Sequence, residues 1–390
     1  MKNILLIGIN GVYNYGCEAI IRGTYNILKQ SHPDANITYA SYNYEYDKNR
    51  LRDLDLNILD RKHIGKWSMR NVTRKALSFL GIKYENPFDN HKVFAAYDYV
   101  FSIGGDMYTL NSDNSYNACL PEFMEKLQKA GAKYILWGCS VGPFEKNSDA
   151  LKYFKKHLSN VDLIIAREFE TINYLKQLGI ENNVRFAPDP AFMVEGPTKT
   201  TPTAGRKNLT IGINLSPLSA SYEYGDIKNA IAIQSNIISK LIKRYDANII
   251  LLPHVLSNSS FDNDLTYLSD LKNCLSEDDS KRVTVISNDP GFIGLKNQIL
   301  TCDFVLAARM HCAINAVTCG VPTLFISYSK KAIGLNQFIY GNNNNVLSVK
   351  EFADFDLLTK KIDRLIKEIN DKPVNLNKIQ SFNYGDILNL

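Results

Sequence analysis

An α/β protein of two domains, each a mostly parallel sheet with helical crossovers, is what this sequence predicts. Three observations carry the prediction. The chain has 390 residues, beyond the roughly 250–300 at which a single hydrophobic core stops growing. Apolar runs of strand length alternate with segments of helical length from end to end, as parallel sheets require. The alternation breaks at Glu195–Asn208, where Gly196-Pro197 and a stretch of Pro, Thr, Gly and basic residues show no apolar periodicity, and then restarts. A linker there divides the chain into domains of residues 1–200 and 201–390.

In the first domain the apolar runs predict strands at Asn3–Gly8, Ala35–Ser41, Tyr97–Gly104, Lys133–Ser140, Leu163–Arg167 and Val184–Pro188. Helices are expected after Gly16, near Tyr116–Ala130, near Ser148–Ser159 and at Glu168–Leu178. In the second, strands are expected at Thr210–Ser216, Asn248–His254, Val283–Ser287, Phe304–Arg309 and Thr323–Tyr328, with helices between and after them. Asn342–Asn345 reads as a turn. The late helix around Asp356–Asn370 is expected to pack back toward the first half. Two open α/β halves joined by a hinge leave a cleft lined by the C-terminal ends of parallel strands.

Composition narrows the function classes. With 45% hydrophobic and 22% charged residues the chain is an ordinary globular one, which argues against long disordered tails, fibrous repeats and a membrane bundle. Net charge is +5 with the basic residues spread out, so no nucleic-acid partner is expected. Seven cysteines, an odd number without CxxC spacing, suit a reducing compartment, and the cytoplasm is the expected location. Ile4 to Ile9 is too short for a signal-peptide core and reads as a first strand. No stretch approaches the roughly 18 apolar residues of a membrane span, so lipid contact would be peripheral at most, at the inner face of the membrane.

The strongest chemical signal is the run from Phe304 to Ala316, where a buried strand delivers Arg309 and His311 to the start of the next helix. Helix N-termini collect anions, and a guanidinium binds carboxylate or phosphate through two parallel hydrogen bonds. The bland alternative pairs Arg309 with Asp303 or another carboxylate and leaves His311 filling a loop. A second arginine, Arg167, ends the strand from Leu163; a ligand with two anionic ends would use both, whereas an ion pair with Glu168, Glu170 or another neighbour is the alternative. His311 titrates near working pH and is the natural general acid. His254 would enter the same cleft as a substrate contact, or be a satisfied structural histidine.

Gly-rich turns follow several strands: Gly8 to Ala19, Gly104-Gly105-Asp106, and Gly138 to Pro143 with Ser140 inside it. Each lets backbone amides approach a ligand or makes a tight turn. The first lacks GxGxxG spacing, no Walker A lysine occurs, and no metal-ligand spacing is visible, so neither cofactor nor metal is expected. Glu18 either caps its own helix or serves in acceptor binding or base catalysis; Asp106 and Asp189 are comparable candidates. From Arg61 to Tyr84 basic and aromatic residues interleave. That stretch reads as a solvated helix over a stripe of Trp67, Val72, Leu77 and Leu80, or as a surface for anionic headgroups or a lipid-linked acceptor.

Taken in order, these landmarks resemble the polysaccharide pyruvyl transferase family over nearly the whole chain. The matching residues are Asn14-x-Gly16-x-Glu18-Ala19-Ile20, Ser102-Ile-Gly104-Gly105, Gly138-x-Ser140-x-Gly142-Pro143, Ala166-Arg167-Glu168 with Tyr174-Leu175 and Gly179, Pro188-Asp189-Pro190-Ala191-Phe192, and Arg309-x-His311 with Gly320-Val321-Pro322 and Tyr328-x-x-Lys331. The chain departs from the family pattern at Cys17 and Asp106. The resemblance implies two Rossmann-like domains facing a cleft, as in B-type glycosyltransferases. It implies attack of sugar hydroxyls on phosphoenolpyruvate, protonation of its methylene carbon and loss of phosphate, leaving a pyruvate ketal on a surface or capsular glycan. Phosphoenolpyruvate is then a co-substrate and the acceptor a saccharide, free or lipid-linked. Arg167 and Arg309, with His254, would bind the donor and His311 would be the acid. Asn14, Gly16, Glu18, Gly104, Gly105, Asp106, Ser140 and Lys331 would be acceptor or loop residues. A nucleotide-sugar-dependent glycosyltransferase and a non-catalytic glycan-binding relative are the alternatives.

Overall fold

A computed structural model describes residues 1–61, 69–81, 97–199, 208–327, 330–371, 376, 379 and 381–388. Of the expected linker, residues 200–207 lie outside the described residues. The chain forms two compact units that do not follow sequence order: Met1–Val12, Ile20–Pro190 and Asn383–Leu390 make one, Tyr13–Ala19 and Ala191–Phe382 the other.

The first unit holds a sheet of seven strands, β1 (Asn3–Ile7), β2 (Asn36–Ser41), β3 (Asn57–Asp60), β4 (Tyr99–Ile103), β5 (Lys133–Cys139), β6 (Leu163–Ala166) and β7 (Val184–Phe186), in the order β3-β2-β1-β4-β5-β6-β7. Every pairing is parallel. Helices α1 (Tyr15–Ser31), α2 (Tyr44–Arg50), α3 (Met69–Phe79), α4 (Cys119–Lys129), α5 (Ser148–Ser159) and α6 (Phe169–Gln177) fall between the strands in sequence. The strand order reverses between β1 and β4, the point where open α/β sheets leave a crevice at their C-terminal edge. Leu5, Ile7, Val100, Leu136 and Ile164 share one core with Phe123, Met124, Phe154 and Leu158 of α4 and α5.

The second unit repeats the scheme with β8 (Thr210–Asn214), β9 (Asn248–Leu251), β10 (Val283–Val285), β11 (Phe304–Ala307), β12 (Thr323–Ser327) and β13 (Val346–Ser348), in the order β10-β9-β8-β11-β12-β13. All are parallel, and the reversal falls between β8 and β11. Its helices are α7 (Pro217–Tyr224), α8 (Ile227–Tyr245), α9 (Asp264–Asn273), α10 (Glu277–Lys281), α11 (Gly291–Ile299), α12 (Met310–Thr318), α13 (Lys330–Tyr340), α14 (Val349–Phe352) and α15 (Phe355–Asp371). Along β11, Phe304 and Leu306 enter one core while Val305 and Ala307 enter the other. The period of two divides the strand between the two layers, so a strand covered on both faces reads as a continuous apolar run.

The predicted strands and helices are present, with ends shifted by a few residues. Two expectations need correction. The apolar positions Leu358, Ile362 and Leu365 of α15 lie in the second unit's own core, while the stretch counted with the first unit is the C-terminal one, with α16 (Gly385–Leu388). In the basic stretch, Trp67 lies outside the described residues, and Val72 and Leu80 are exposed instead of covering a core. Among the described residues no helix is long and apolar enough to cross a membrane.

Candidate functional site

At the switch point of the second unit, β8 and β11 end side by side, Ala307 pairing with Asn214. Asn214 binds the neighbouring strand ends together: its Nδ2 donates to the Leu252 carbonyl at 2.8 Å, and its Oδ1 accepts the Arg309 amide at 2.8 Å. Arg309 is the N-cap of α12, with extended backbone, so His311 stands in the first helical turn. The Cys312 and Ala313 amides donate to the Arg309 carbonyl at 3.0 and 3.1 Å and close that turn.

The Arg309 side chain is held on one edge. Its Nε donates to both Asp264 oxygens at 3.2 and 3.3 Å, and Nη2 donates to Asp264 at 2.8 Å and also to Asp262. The remaining Nη1 has no acceptor among the described residues. Asp264, the buried first residue of α9, also accepts the amides of His254 and Val255 at 3.0 and 3.2 Å. Burial pushes its carboxyl up, against the pull of Arg309 and the His254 amide. Arg309 stays charged, because Asp264 and Asp262 outweigh the burial that opposes its charge. Its partner is therefore not Asp303, whose carboxylate accepts the Thr210 amide at 2.7 Å and faces Lys199.

His254 is fully enclosed between the rings of Tyr15 and Phe292, at centroid distances of 5.5 and 5.8 Å. Burial, then the neighbouring His311 and Arg309, holds its imidazole well below the ordinary 6.5. Its Nε2 has no hydrogen-bond partner among the described residues.

Tyr13–Ala19, the later part of the Gly-rich segment after β1, belongs to this second unit. Asn14 bridges Val255 in antiparallel fashion; the Tyr15 amide donates to the His254 carbonyl at 3.0 Å, and the Leu256 amide donates to the Tyr13 carbonyl at 3.1 Å. Asn14 Oδ1 accepts the Gly16 amide at 2.9 Å and starts α1. A Cβ on Gly16 would lie 2.5 Å from His311 Nδ1, so only glycine lets the imidazole seat against the backbone. Glu18 is buried, and its Oε2 accepts the Phe292 amide at 2.9 Å across 274 residues of sequence. It caps α11 as well as standing in the first turn of α1.

Six candidates, Asn14, Gly16, Glu18, His254, Arg309 and His311, thus come together in one unit. A second group forms inside the first unit. Gly104, Gly105 and Asp106 follow β4, Ser140 follows β5 and Arg167 follows β6. The Ser140 amide donates to the Gly105 carbonyl at 2.8 Å, and Arg167 Nη2 donates to Ser140 Oγ at 3.3 Å. Arg167 Nη1 donates to Asp189 Oδ2 at 2.7 Å, with side-chain exposures of only 4% and 2%. Burial opposes the Arg167 charge, but Asp189, Glu168 and Asp106 hold the guanidinium above its ordinary range. A Cβ on Gly105 would lie 2.3 Å from Arg167 Nη2, so the guanidinium abuts that backbone. Asp106 itself is exposed. Lys331 falls in the first turn of α13, and its side chain, like Tyr328, lies outside the described residues.

Sequence reasoning missed Asn214, Asp264, Tyr15 and Phe292. Asn214 had a signal, a polar residue ending an apolar strand; Asp264 had none stronger than its place after Asn263 at a helix start.

Two solved structures share this architecture over nearly their whole length. Anabaena Alr3699/HepE in complex with UDP and glucose is 13% identical, with a TM-score of 0.55 over 97% of each chain. The UDP-GlcNAc 2-epimerase from Methanocaldococcus jannaschii is 14% identical, with a TM-score of 0.57 over 99% of this chain and 98% of that one. Identity this low carries the fold alone, two Rossmann-like sheets of the B-type glycosyltransferase-like class. No curated protein sequence matches the chain. The profile described as "Polysaccharide pyruvyl transferase" matches residues 14–330, a span that begins at the Asn14 loop and ends beyond Arg309 and His311. With four-fifths of its length so matched, this chain belongs to the polysaccharide pyruvyl transferase family.

Proposed function

We propose that the protein transfers the pyruvyl group of phosphoenolpyruvate to a saccharide as a ketal, with the donor held in the second unit. The observation that carries this reading is the grouping of His311, Arg309 and His254 around the first turns of α12 and α1. Nη1 of Arg309 would take one anionic end of the donor, beside the N-terminus of α12, whose helix dipole favours negative charge. His311, seated on Gly16, would give a proton to the methylene carbon as a sugar hydroxyl attacks the central carbon. A second hydroxyl then displaces phosphate. Of the two hydroxyl protons, one ends in the new methyl group by way of His311 and one leaves with phosphate. His254, neutral through its burial, adds no charge and can offer or accept one hydrogen bond at Nε2.

Arg167 pairs with Asp189, so its part in this reading is to hold the Gly105 turn, with Ser140, in shape. The enzyme should consume phosphoenolpyruvate and release phosphate in the presence of a galactose- or mannose-type acceptor, giving an acid-labile product with a ketal carbon by NMR. His311→Asn should lower kcat by about 10²–10⁴-fold with little change in KM for phosphoenolpyruvate. Release of a nucleoside diphosphate from a sugar nucleotide, with phosphoenolpyruvate untouched, would overturn the reading in favour of glycosyl transfer.

A further inference from the structure

His254 offers the second unit's site an Nε2 that has no hydrogen-bond partner among the described residues, so the direction of that nitrogen depends on what packs against the ring. Tyr15 and Phe292 do so, tilted 58° and 46° to the imidazole. Both rings are tied by polar groups within the same unit. Tyr15 and Glu18 stand in the first turn of α1, and Asp289 and Phe292 flank the N-cap of α11. The Tyr15 phenol donates to Asp289 Oδ1 at 2.6 Å, and in the opposite direction the Phe292 amide donates to Glu18 Oε2 at 2.9 Å. Asn315 of α12 adds a tie, its Nδ2 donating to the Phe292 carbonyl at 3.0 Å.

Asp289 has a backbone that its turn alone does not explain. Its φ is +43°, in the left-handed region where glycine is unstrained and a side chain costs free energy, although aspartate tolerates it better than most. Gly291, two residues on at φ +71°, is glycine. What aspartate adds at 289 is a carboxylate, and that carboxylate reaches the fully buried Tyr15. A phenol donating to a carboxylate makes one of the stronger hydrogen bonds, and it fixes the far end of the ring. The near end is fixed by the Tyr15 amide, which donates to the His254 carbonyl at 3.0 Å. Tyr15 is thereby held at both ends against the imidazole.

We propose that Asp289 is a positioning residue for the donor site, setting through Tyr15 the direction in which His254 presents Nε2. Its part in catalysis rests on the reading that His254 meets phosphoenolpyruvate, whereas its effect on the imidazole does not.

NMR of the full chain, isotopically labelled at histidine, tests the effect on the imidazole. Six histidines occur in the chain, and the His254 ring signal is the one missing from His254→Asn. Asp289→Gly accepts the left-handed backbone and removes the carboxylate; it and Tyr15→Phe should each move that signal. Asp289→Asn keeps an acceptor oxygen and tolerates the same backbone, so its signal should stay near the wild-type position. In kinetics the first two variants should raise KM for phosphoenolpyruvate by about tenfold with kcat within about threefold, and Asp289→Asn should restore KM to within about threefold of wild type. The double variant of Tyr15→Phe with Asp289→Gly should be no worse than the poorer single one, since both act on one hydrogen bond. A His254 signal unmoved in both single variants overturns the proposal, because Asp289 would then serve the fold alone. A moved signal with KM unchanged also overturns it, since the direction of Nε2 would not matter to the donor. If the wild type consumes no phosphoenolpyruvate, the donor reading fails and the signal by itself decides whether Asp289 orients His254. Should Asp289→Gly lose its thermal transition, Tyr15→Phe carries the same test.

Discussion

Single residues in the second unit combine a local cause with a distant partner. Gly16 is glycine because His311 Nδ1 occupies the space a methyl group would need. Gly16→Ala would suit the first turn of α1, so the fold should tolerate it, yet the imidazole must move. Turnover should fall by about 10–10²-fold at nearly constant unfolding temperature, since small displacements of a reacting group are costly; unchanged kcat would separate His311 from the chemistry. His254 makes a prediction about pH. Its folded-state pKa lies well below 6.5, so as pH falls through 6.5 the unfolded chain takes up a proton that the folded chain refuses. Stability is therefore lost on acidification, with a slope of up to about 1.4 kcal/mol per pH unit from this group. Urea titrations between neutral and mildly acid pH should show a shallower loss for His254→Asn than for the wild type.

At the scale of elements, the ends of β8, β9 and β11 are fixed to each other by polar groups where their apolar cores end. Asp264 accepts from Arg309, from the amides after β9 and, at 3.4 Å, from Asn214, so one carboxylate holds α9, β9 and the start of α12. Asp264→Ala leaves the Arg309 charge largely enclosed, with Asp262 as its remaining carboxylate among the described residues. The expected cost is about 3–5 kcal/mol in chemical denaturation, the range for breaking a buried ion pair from one side. A loss below about 1 kcal/mol would mean that Asp262 and water suffice.

For the whole molecule, the division of the chain matters more than its length. A cut at the apparent domain boundary would remove Tyr13–Ala19 from the unit in which it is packed. With it go the Asn14–Val255 bridge, the Tyr15 and Ala19 contributions to the core and the Glu18 cap on α11. A fragment of residues 191–382 is thus expected to show weak protection from proteolysis and a broadened thermal transition, although it contains a complete sheet. Full native stability of that fragment would show that the segment adds little.

Alternation of strand and helix was legible in the sequence because apolar period and turn residues act within about ten residues, and a doubly covered strand is apolar throughout. For the same reason Arg309 and His311 could be placed at the end of a strand and the start of a helix. The edge strands β3 and β13 escaped notice: Asn57–Asp60 is short, half-exposed and mixed in polarity, and Val346–Ser348 has three residues. Tertiary structure alone decided that Arg309 pairs with Asp264, that Arg167 pairs with Asp189, that Glu18 serves a helix 274 residues away and that the Asn14 loop joins the second unit. Local pattern specifies where a side chain sits on its own element. Which other element it meets is settled by strand order and packing, summed over contacts far apart in sequence.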